Sequence, residues 1–196
     1  MSAYNSNGYE QIAEHFLLAR NPTIGPAVVR RWSKSLPAGA TILDVGCGSG
    51  APISQTLLQE GFTVYGIDAS PTLVSRFRKQ FPDAPVECSP IEDSLFFRRT
   101  FDAVVCWGLM FVLPVASQRI LIEKVARALH PDGKFLFTAT KELCTWSDSL
   151  THLPSTSLGH DAYQQELTAH GLALVGNDQD EGGNYYYFAA KTSETA

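Results

Sequence analysis

Three glycines and two acids are spaced so that they can hold a nucleotide-like ligand. The stretch LDVGCGSG has glycines at positions 46, 48 and 50, and an acid, Asp44, precedes the first of them. A second acid, Asp68, ends the apolar run TVYGID. When a glycine turn joins a strand to a helix N-terminus, the backbone can approach a ligand closely. We therefore expect a nucleoside-containing ligand at this loop.

The two acids indicate which ligand this is. A carboxylate at position 44 would repel a pyrophosphate but suits a ligand that carries positive charge. Asp68 can accept hydrogen bonds from both hydroxyls of a ribose. The dinucleotide pattern would place its third glycine at position 51, where this chain has Ala51, a residue that is sometimes tolerated there. S-adenosylmethionine, with its sulfonium and ammonium groups, fits best, and a nicotinamide dinucleotide is the alternative.

The elements around these residues alternate between strand and helix. The runs TILDV, TVYGID, APVECS, FDAVVCW and GKFLFTAT predict buried strands, and PISQTLLQEG, SPTLVSRFRKQF and ASQRILIEKVARAL predict helices. This alternation predicts parallel strands with crossover helices on both faces of a sheet. A helix from Tyr163 to His170 is followed by LALVGND and NYYYFAAK, whose short link predicts an antiparallel hairpin.

Composition limits the classes of protein to consider. The 196 residues fit one domain, and with a net charge of −5 and no block of Lys or Arg, nucleic acid is not an expected partner. The run Ala103–Ala116 contains Pro114 and is shorter than the ~18 residues that a membrane span needs. The first ten residues lack the pattern of a signal peptide. The four cysteines form no CxxC pair, which favours reduced thiols, no metal site and a cytoplasmic protein.

Taken together, the motifs resemble those of the class I S-adenosylmethionine-dependent methyltransferases over residues 41–191. LDVGCGSG is similar to the first motif of that family and VYGIDAS to its second, while FDAVVCW and ALHPDGKFLFTA resemble the fourth strand and the turn into the fifth. The resemblance implies an α/β fold, a Rossmann-like seven-stranded mostly parallel sheet with helices on both faces and a C-terminal antiparallel hairpin. It implies one methyltransferase domain over residues 1–196, with S-adenosylmethionine as methyl donor.

The resemblance also assigns the cofactor site. It implies that the three glycines make room for the methionine part, that Asp44 holds the ammonium group, and that Asp68 binds the ribose. The family often has an acid that accepts from the adenine amino group, but Pro90 stands there, so Glu92 or Asp93 is expected to substitute, with the Ile91 amide reaching a ring nitrogen. The cofactor-binding residues expected are Tyr9, Arg20, Asp44, Gly46, Cys47, Gly48, Gly50, Asp68, Ala69, Ile91, Glu92, Cys106 and Trp107.

Residues 1–36 are expected to form a helical lid over the cofactor. Apolar residues recur at helical spacing in Tyr9–Arg20 and in Pro26–Trp32, and the first helix would bring Tyr9, Phe16 and Arg20 onto one stripe. In relatives an aromatic and a basic residue of this segment often touch the cofactor. We therefore expect Arg20 to pair with the methionine carboxylate.

Two segments are expected to bind the methyl acceptor. Residues 142–159 are too long and too rich in Ser, Thr and Pro for a plain crossover, so we interpret them as a substrate-side insertion that covers the acceptor. The sixth strand should run parallel to the others, which places the turn QDEGGN at the ligand edge. His152 is a weaker polar candidate. The acceptor-binding residues expected are Phe111, Trp146, Asn184 and Tyr185.

The function expected is methyl transfer to a small molecule, with no catalytic base and no metal assigned. The fourth strand ends in VVCWGLMF and lacks the Asn-Pro-Pro-aromatic and Pro-Cys patterns of nucleic-acid methylation. A non-catalytic cofactor- or partner-binding protein with the same fold is the first alternative, and an NAD(P)-dependent oxidoreductase is the second. Fold alone does not fix the acceptor.

Overall fold

The computed structural model describes residues 6–192. Seven strands of this part form one sheet in the order β3-β2-β1-β4-β5-β9-β8, and two more form a separate hairpin. The strands are β1 (Thr41–Val45), β2 (Thr63–Asp68), β3 (Val86–Cys88), β4 (Phe101–Cys106), β5 (Leu129–Thr138), β6 (Leu143–Ser147), β7 (Pro154–Leu158), β8 (Leu172–Gln179) and β9 (Tyr185–Lys191). The helices are α1 (Ala13–Ala19), α2 (Pro26–Ser33), α3 (Ile53–Gln59), α4 (Pro71–Gln80), α5 (Val115–Ala128) and α6 (His160–Ala169).

The first five strands are parallel, and β1 and β4 in the middle of the sheet are buried on both faces, as the continuous apolar runs predict. β3, at the edge of the sheet, is half-buried. Successive side chains of a strand point to opposite faces, so Ile42 and Leu43 belong to different cores. Ile42 packs in a core with side chains of α2 and α3. Leu43 packs in a core with side chains of α5 and α6 on the other face. The doubly covered sheet expected from the alternation is confirmed.

The C-terminal strands form the expected antiparallel hairpin. β9 lies between β5 and β8 and runs antiparallel to both of them. β8 is therefore parallel to β5, and the turn after β8, residues 180–184, lies at the carboxyl edge of the parallel strands. Ligands of open α/β sheets bind outside this edge.

Residues 142–159 contain a β-hairpin that the sequence did not predict. β6 pairs antiparallel with β7, and Trp146 lies opposite Ser155. The β7 strand packs against a 3-10 turn, Met110–Val112, which follows β4. The segment thus has regular structure, and it lies over the loop at the end of β4.

The N-terminal segment is helical over a shorter stretch than expected. Only Ala13–Ala19 is helical, and residues 7–12 form turns. Glu10, in these turns, accepts hydrogen bonds from the hydroxyls of Ser70 and Thr72 at the start of α4. The second helical prediction is confirmed by α2. Residues 1–5 of the expected lid lie outside the described residues.

Three further observations concern membrane-spanning helices, metal-binding groups and cysteines. No helix among the described residues has both the length and the apolar character needed to cross a membrane. Across residues 6–192, no three His, Cys, Asp or Glu side chains form a group that could hold a metal ion. All four cysteines are free thiols.

Candidate functional site

The glycine loop joins β1 to α3 and is tied to the end of β2. The amides of Gly46 and Cys47 donate to the carbonyl of Ile67, at 2.8 and 3.0 Å. Gly48 has φ +56°, and a Cβ placed on it would lie 3.7 Å from its nearest neighbour, a ring atom of Phe16. This glycine therefore presents open backbone to a ligand.

Gly50 has a different reason for being glycine. It has φ +88°, and a Cβ there would lie 2.5 Å from the ring of Phe81 and 2.8 Å from that of Phe77. The missing side chain lets the loop pack against α4. Gly50 is not among the residues that line the cavity beside the loop, so its part in the site is to shape the loop.

Asp68, at the end of β2, is held by two backbone amides. Its Oδ2 accepts from the amide of Gly48 and its Oδ1 from the amide of Ser70, both at 2.8 Å. Burial raises the pKa of Asp68, while these two hydrogen bonds oppose the rise. Each carboxylate oxygen has two lone pairs, so both can still accept a hydrogen bond from a ligand.

A cavity of about 680 Å³, including its open mouth, lies beside the loop and beneath the N-terminal segment. Nine of the thirteen expected cofactor residues line it: Tyr9, Arg20, Gly46, Gly48, Asp68, Ala69, Ile91, Glu92 and Trp107. The other four, Asp44, Cys47, Gly50 and Cys106, do not. Cys47 and Cys106 are buried. Their side chains therefore pack in the protein interior.

Asp44 lies beneath the loop. It is buried, and its Oδ2 accepts a hydrogen bond from the Ser54 hydroxyl at 2.5 Å. Burial raises the pKa of Asp44 to about 6, and the Ser54 hydrogen bond and the charge of Arg20 oppose the rise. The structure places this carboxyl where it can act on a ligand through its charge, without lining the cavity.

Arg20 brings a positive charge to the cavity. Its guanidinium carbon lies 4.5 Å from the ring centre of Trp107 and 4.9 Å from that of Phe16. Its Nε is shielded from solvent and has no hydrogen-bond partner. Burial lowers the pKa of Arg20, and the charge of Asp44 opposes this. A buried donor without a partner costs free energy, so the arrangement suits an anionic ligand group.

The expected adenine contacts also line this cavity. Ser89, Pro90 and Ile91 line it together with Glu92. One carboxylate oxygen of Glu92 already accepts from the Ser117 hydroxyl. The second oxygen of Glu92 is the one that remains for a ligand.

A second, larger cavity adjoins the first. It measures about 1950 Å³, including its open mouth, and all four expected acceptor residues line it: Phe111, Trp146, Asn184 and Tyr185. The rings of Phe111 and Trp146 lie 5.4 Å apart, tilted by 44°. His152 lines neither cavity. Five residues line both cavities and so form their boundary: Tyr9, Phe16, Arg20, Trp107 and Gly108.

Two contacts at this boundary were missed from the sequence. The Tyr9 hydroxyl donates to Oδ2 of Asp148 at 3.3 Å, which joins the N-terminal segment to the loop of the β6–β7 hairpin. The indole Nε1 of Trp107 donates to the hydroxyl of Tyr186 at 2.6 Å. The partners of each pair are far apart in the chain, so the sequence carries no signal for either contact.

Comparison with known proteins adds a sequence match over the first half of the sheet. Residues 42–133 match the family model of a methyltransferase domain. The chain is 35% identical over 109 residues to the ubiquinone biosynthesis O-methyltransferase of Xanthomonas axonopodis pv. citri (strain 306). That match covers 53% of this chain and 44% of the relative, less than half of its length.

Solved structures resemble the chain over nearly its whole length. A S-adenosylmethionine-dependent methyltransferase from Clostridium acetobutylicum has a TM-score of 0.71 at 12% identity, over 94% of this chain and 99% of the other. CalS10, an amino pentose methyltransferase from Micromonospora echinaspora solved with S-adenosylmethionine bound, has a TM-score of 0.69 at 18% identity, over 93% and 96%. At these identities the likeness establishes the fold.

Proposed function

Because the chain has the fold of the S-adenosylmethionine-dependent methyltransferases and matches a methyltransferase domain over residues 42–133, we propose that it transfers a methyl group from S-adenosylmethionine to a small molecule. The family expected from the sequence is confirmed. The observation that carries the proposed activity is the pair of adjoining cavities that share one wall, Tyr9, Phe16, Arg20, Trp107 and Gly108. Reactants bound in two adjoining cavities lie next to each other.

The first cavity is assigned to the cofactor. Asp68 accepts hydrogen bonds from the ribose hydroxyls. Gly48 has no side chain, so the ligand can approach the backbone of the loop closely. The Arg20 guanidinium, whose Nε has no protein partner, pairs with the methionine carboxylate. Asp44 favours the cationic end of the cofactor through its charge. The residues present therefore fit the group in both shape and charge.

The chemistry places few demands on the chain itself. Bound S-adenosylmethionine supplies a methyl group on a sulfonium, which is an excellent leaving group. The residues at the shared wall hold the acceptor in line with that methyl group and exclude water, which is where proximity and orientation lower a barrier. A base is required only for an acceptor that must lose a proton, and none is assigned.

The second cavity is assigned to the acceptor. Its aromatic side chains, among them Phe111, Trp146 and Tyr185, offer apolar faces, while Asn184 offers polar atoms near the mouth. Aromatic walls with a few polar groups are typical of small-molecule sites. The hairpin of residues 142–159 forms the cover of this cavity, and residues 6–36 form the lid of the first. We place both in one domain with the sheet.

The unpaired, scattered thiols support a reducing compartment, and we place the protein in the cytoplasm.

We assign the acceptor only as a small molecule. The relative with the sequence match is named for O-methylation and CalS10 for an amino pentose, so the two differ in acceptor.

Calorimetry with S-adenosylhomocysteine and with NAD⁺ tests the cofactor, and incubation with methyl-labelled S-adenosylmethionine and a fractionated metabolite pool tests the activity. We expect binding of S-adenosylhomocysteine and transfer of label to at least one fraction. Binding of NAD⁺ in place of S-adenosylhomocysteine would support an oxidoreductase. Tight cofactor binding without label transfer from any pool would support a non-catalytic binding protein.

A further inference from the structure

A chain of hydrogen bonds leads from the shared wall into the C-terminal hairpin. Trp107 Nε1 donates to the Tyr186 hydroxyl at 2.6 Å, and that hydroxyl donates to Oδ2 of Asp180 at 2.7 Å. Trp107 leaves the end of β4, while Tyr186 lies in β9 and Asp180 in the turn before it. The chain therefore joins the shared wall to the β8–β9 turn.

The far end of this chain is rigidly held. Oδ1 of Asp180 accepts from the amides of Gly182 and Asn184, at 3.0 and 2.9 Å, and the Asn184 side-chain nitrogen donates to both carboxylate oxygens. Tyr186 is fully buried. Burial and the neighbouring Asp180 raise the pKa of Tyr186, so its hydroxyl keeps the proton that it donates. A carboxylate that ends such a chain polarises and strengthens each bond in it.

The near end of the chain carries the charged group of the site. The Arg20 guanidinium lies over the ring of Trp107 at 4.5 Å, and both residues line both cavities. The Arg20 side chain forms no hydrogen bond or ion pair with another described residue, and its other ring neighbour is Phe16. The indole of Trp107 is therefore the nearer of the two rings against which the guanidinium lies, and a change in its orientation would move the guanidinium.

We propose that Tyr186 and Asp180 are positioning residues, which fix the indole of Trp107 and through it the Arg20 guanidinium at the wall between the two cavities. This inference rests on the proposed function, because it assigns the guanidinium to the cofactor. It explains why a fully buried tyrosine in the sheet keeps a hydroxyl. It also gives the β8–β9 turn a part in cofactor binding although the turn lines only the second cavity.

The test compares Tyr186→Phe with Tyr187→Phe. Tyr187 is buried in the same strand, and its hydroxyl donates to the Thr140 carbonyl at 3.4 Å, away from Trp107. In ¹⁵N-labelled protein we expect Tyr186→Phe to shift the indole N–H resonance of Trp107 and to leave those of Trp32 and Trp146 in place. We expect its affinity for S-adenosylhomocysteine to fall about three- to tenfold, whereas Tyr187→Phe stays within about twofold.

A double-mutant cycle separates positioning from general support. If Tyr186 acts through the indole, Tyr186→Phe changes the affinity less than about twofold in a Trp107→Phe background. An equal loss in both backgrounds, or a shifted indole resonance with unchanged affinity, would overturn the inference and leave the proposed function intact. Wild-type protein that binds no S-adenosylhomocysteine would remove the proposed function and this inference together.

Asp180→Asn provides a second route if Tyr186→Phe does not fold. The amide keeps the size of the side chain but replaces one acceptor oxygen by a nitrogen that can only donate, so either the Tyr186 hydroxyl or the amides of the turn lose their acceptor. We expect the same direction of change in the Trp107 resonance and in affinity. Affinity and resonance both equal to those of wild type would contradict the role of the turn.

Discussion

The guanidinium carbon of Arg20 lies 4.5 Å from the ring centre of Trp107, at the wall where the two cavities of the protein meet. Arg20 ends the N-terminal helix and Trp107 follows the fourth strand of the sheet, so the contact joins the lid to the sheet. The Arg20 guanidinium is stacked on an aromatic ring, and its Nε has no hydrogen-bond partner. It can therefore bind an anionic group of a ligand.

Replacement of Arg20 by Met should therefore weaken cofactor binding while keeping most of the side-chain volume. The loss of a charge-assisted pair costs about 1.5–3 kcal/mol, or roughly ten- to a hundredfold in affinity. Calorimetry with S-adenosylmethionine measures it. The matched control is Arg31→Met, because Arg31 is a surface residue that pairs with Asp178 at 2.7 Å. Unchanged affinity in a folded Arg20→Met variant would show that this arginine does not bind the cofactor.

Asp68→Ala should remove the ribose contacts. We expect a fall of about ten- to a hundredfold in S-adenosylmethionine affinity, because a carboxylate that receives two hydroxyl hydrogen bonds is lost. Asp83→Ala, in the exposed turn after α4, is the control and should bind as wild type does. Circular dichroism checks the fold, since Asp68 also accepts two backbone amides. A folded Asp68→Ala variant with full affinity would refute the assignment.

Asp44 should give the protein a pH dependence. Burial raises its pKa to about 6 from 3.8, against the opposing effects of Ser54 and Arg20. Between these two values the folded protein binds more protons than the unfolded chain, so this carboxyl lowers the free energy of unfolding as pH rises from about 4 to about 6. A bound cation favours the charged form, so cofactor binding near pH 6 should release part of a proton.

Calorimetry in buffers of different ionisation enthalpy measures that proton release. Asp44→Asn keeps an acceptor for the Ser54 hydroxyl and removes the titration. We expect the release near pH 6 to be lost in the variant, and its affinity to vary less between pH 5 and pH 7. Equal proton release in both proteins would show that Asp44 does not titrate on binding.

Trp146→Ala should impair methyl transfer and spare cofactor binding. The indole lines only the acceptor cavity, against Phe111 at 5.4 Å. We expect S-adenosylmethionine affinity within about threefold of wild type, below ~0.7 kcal/mol, with a clear loss of label transfer. Leu143→Ala is the control, because Leu143 lies in the same strand and is 77% exposed. Label transfer at the wild-type level by Trp146→Ala would show that Trp146 of the hairpin does not bind the acceptor.

The sequence by itself determined the sheet and the loop. Three largely apolar runs predict strands buried in a parallel sheet, and they form the strands Thr41–Val45, Thr63–Asp68 and Phe101–Cys106. Glycines 46 and 48, with Asp68 at the next strand end, are local signals, because positive φ and strand ends depend on near neighbours. Asp68 lines the cavity because it ends a strand beside this loop.

Only the tertiary structure decided the rest. The segment PSTSL has little strand propensity, and β7 forms because its backbone pairs with β6. Asp44 lies under the loop and not in the cavity because Ser54 of α3 takes its carboxylate. The contacts of Trp107 with Tyr186 and of Tyr9 with Asp148 join residues 79 and 139 positions apart. Such pairs leave no periodic trace in a sequence, since each partner satisfies its own local pattern equally well without the other.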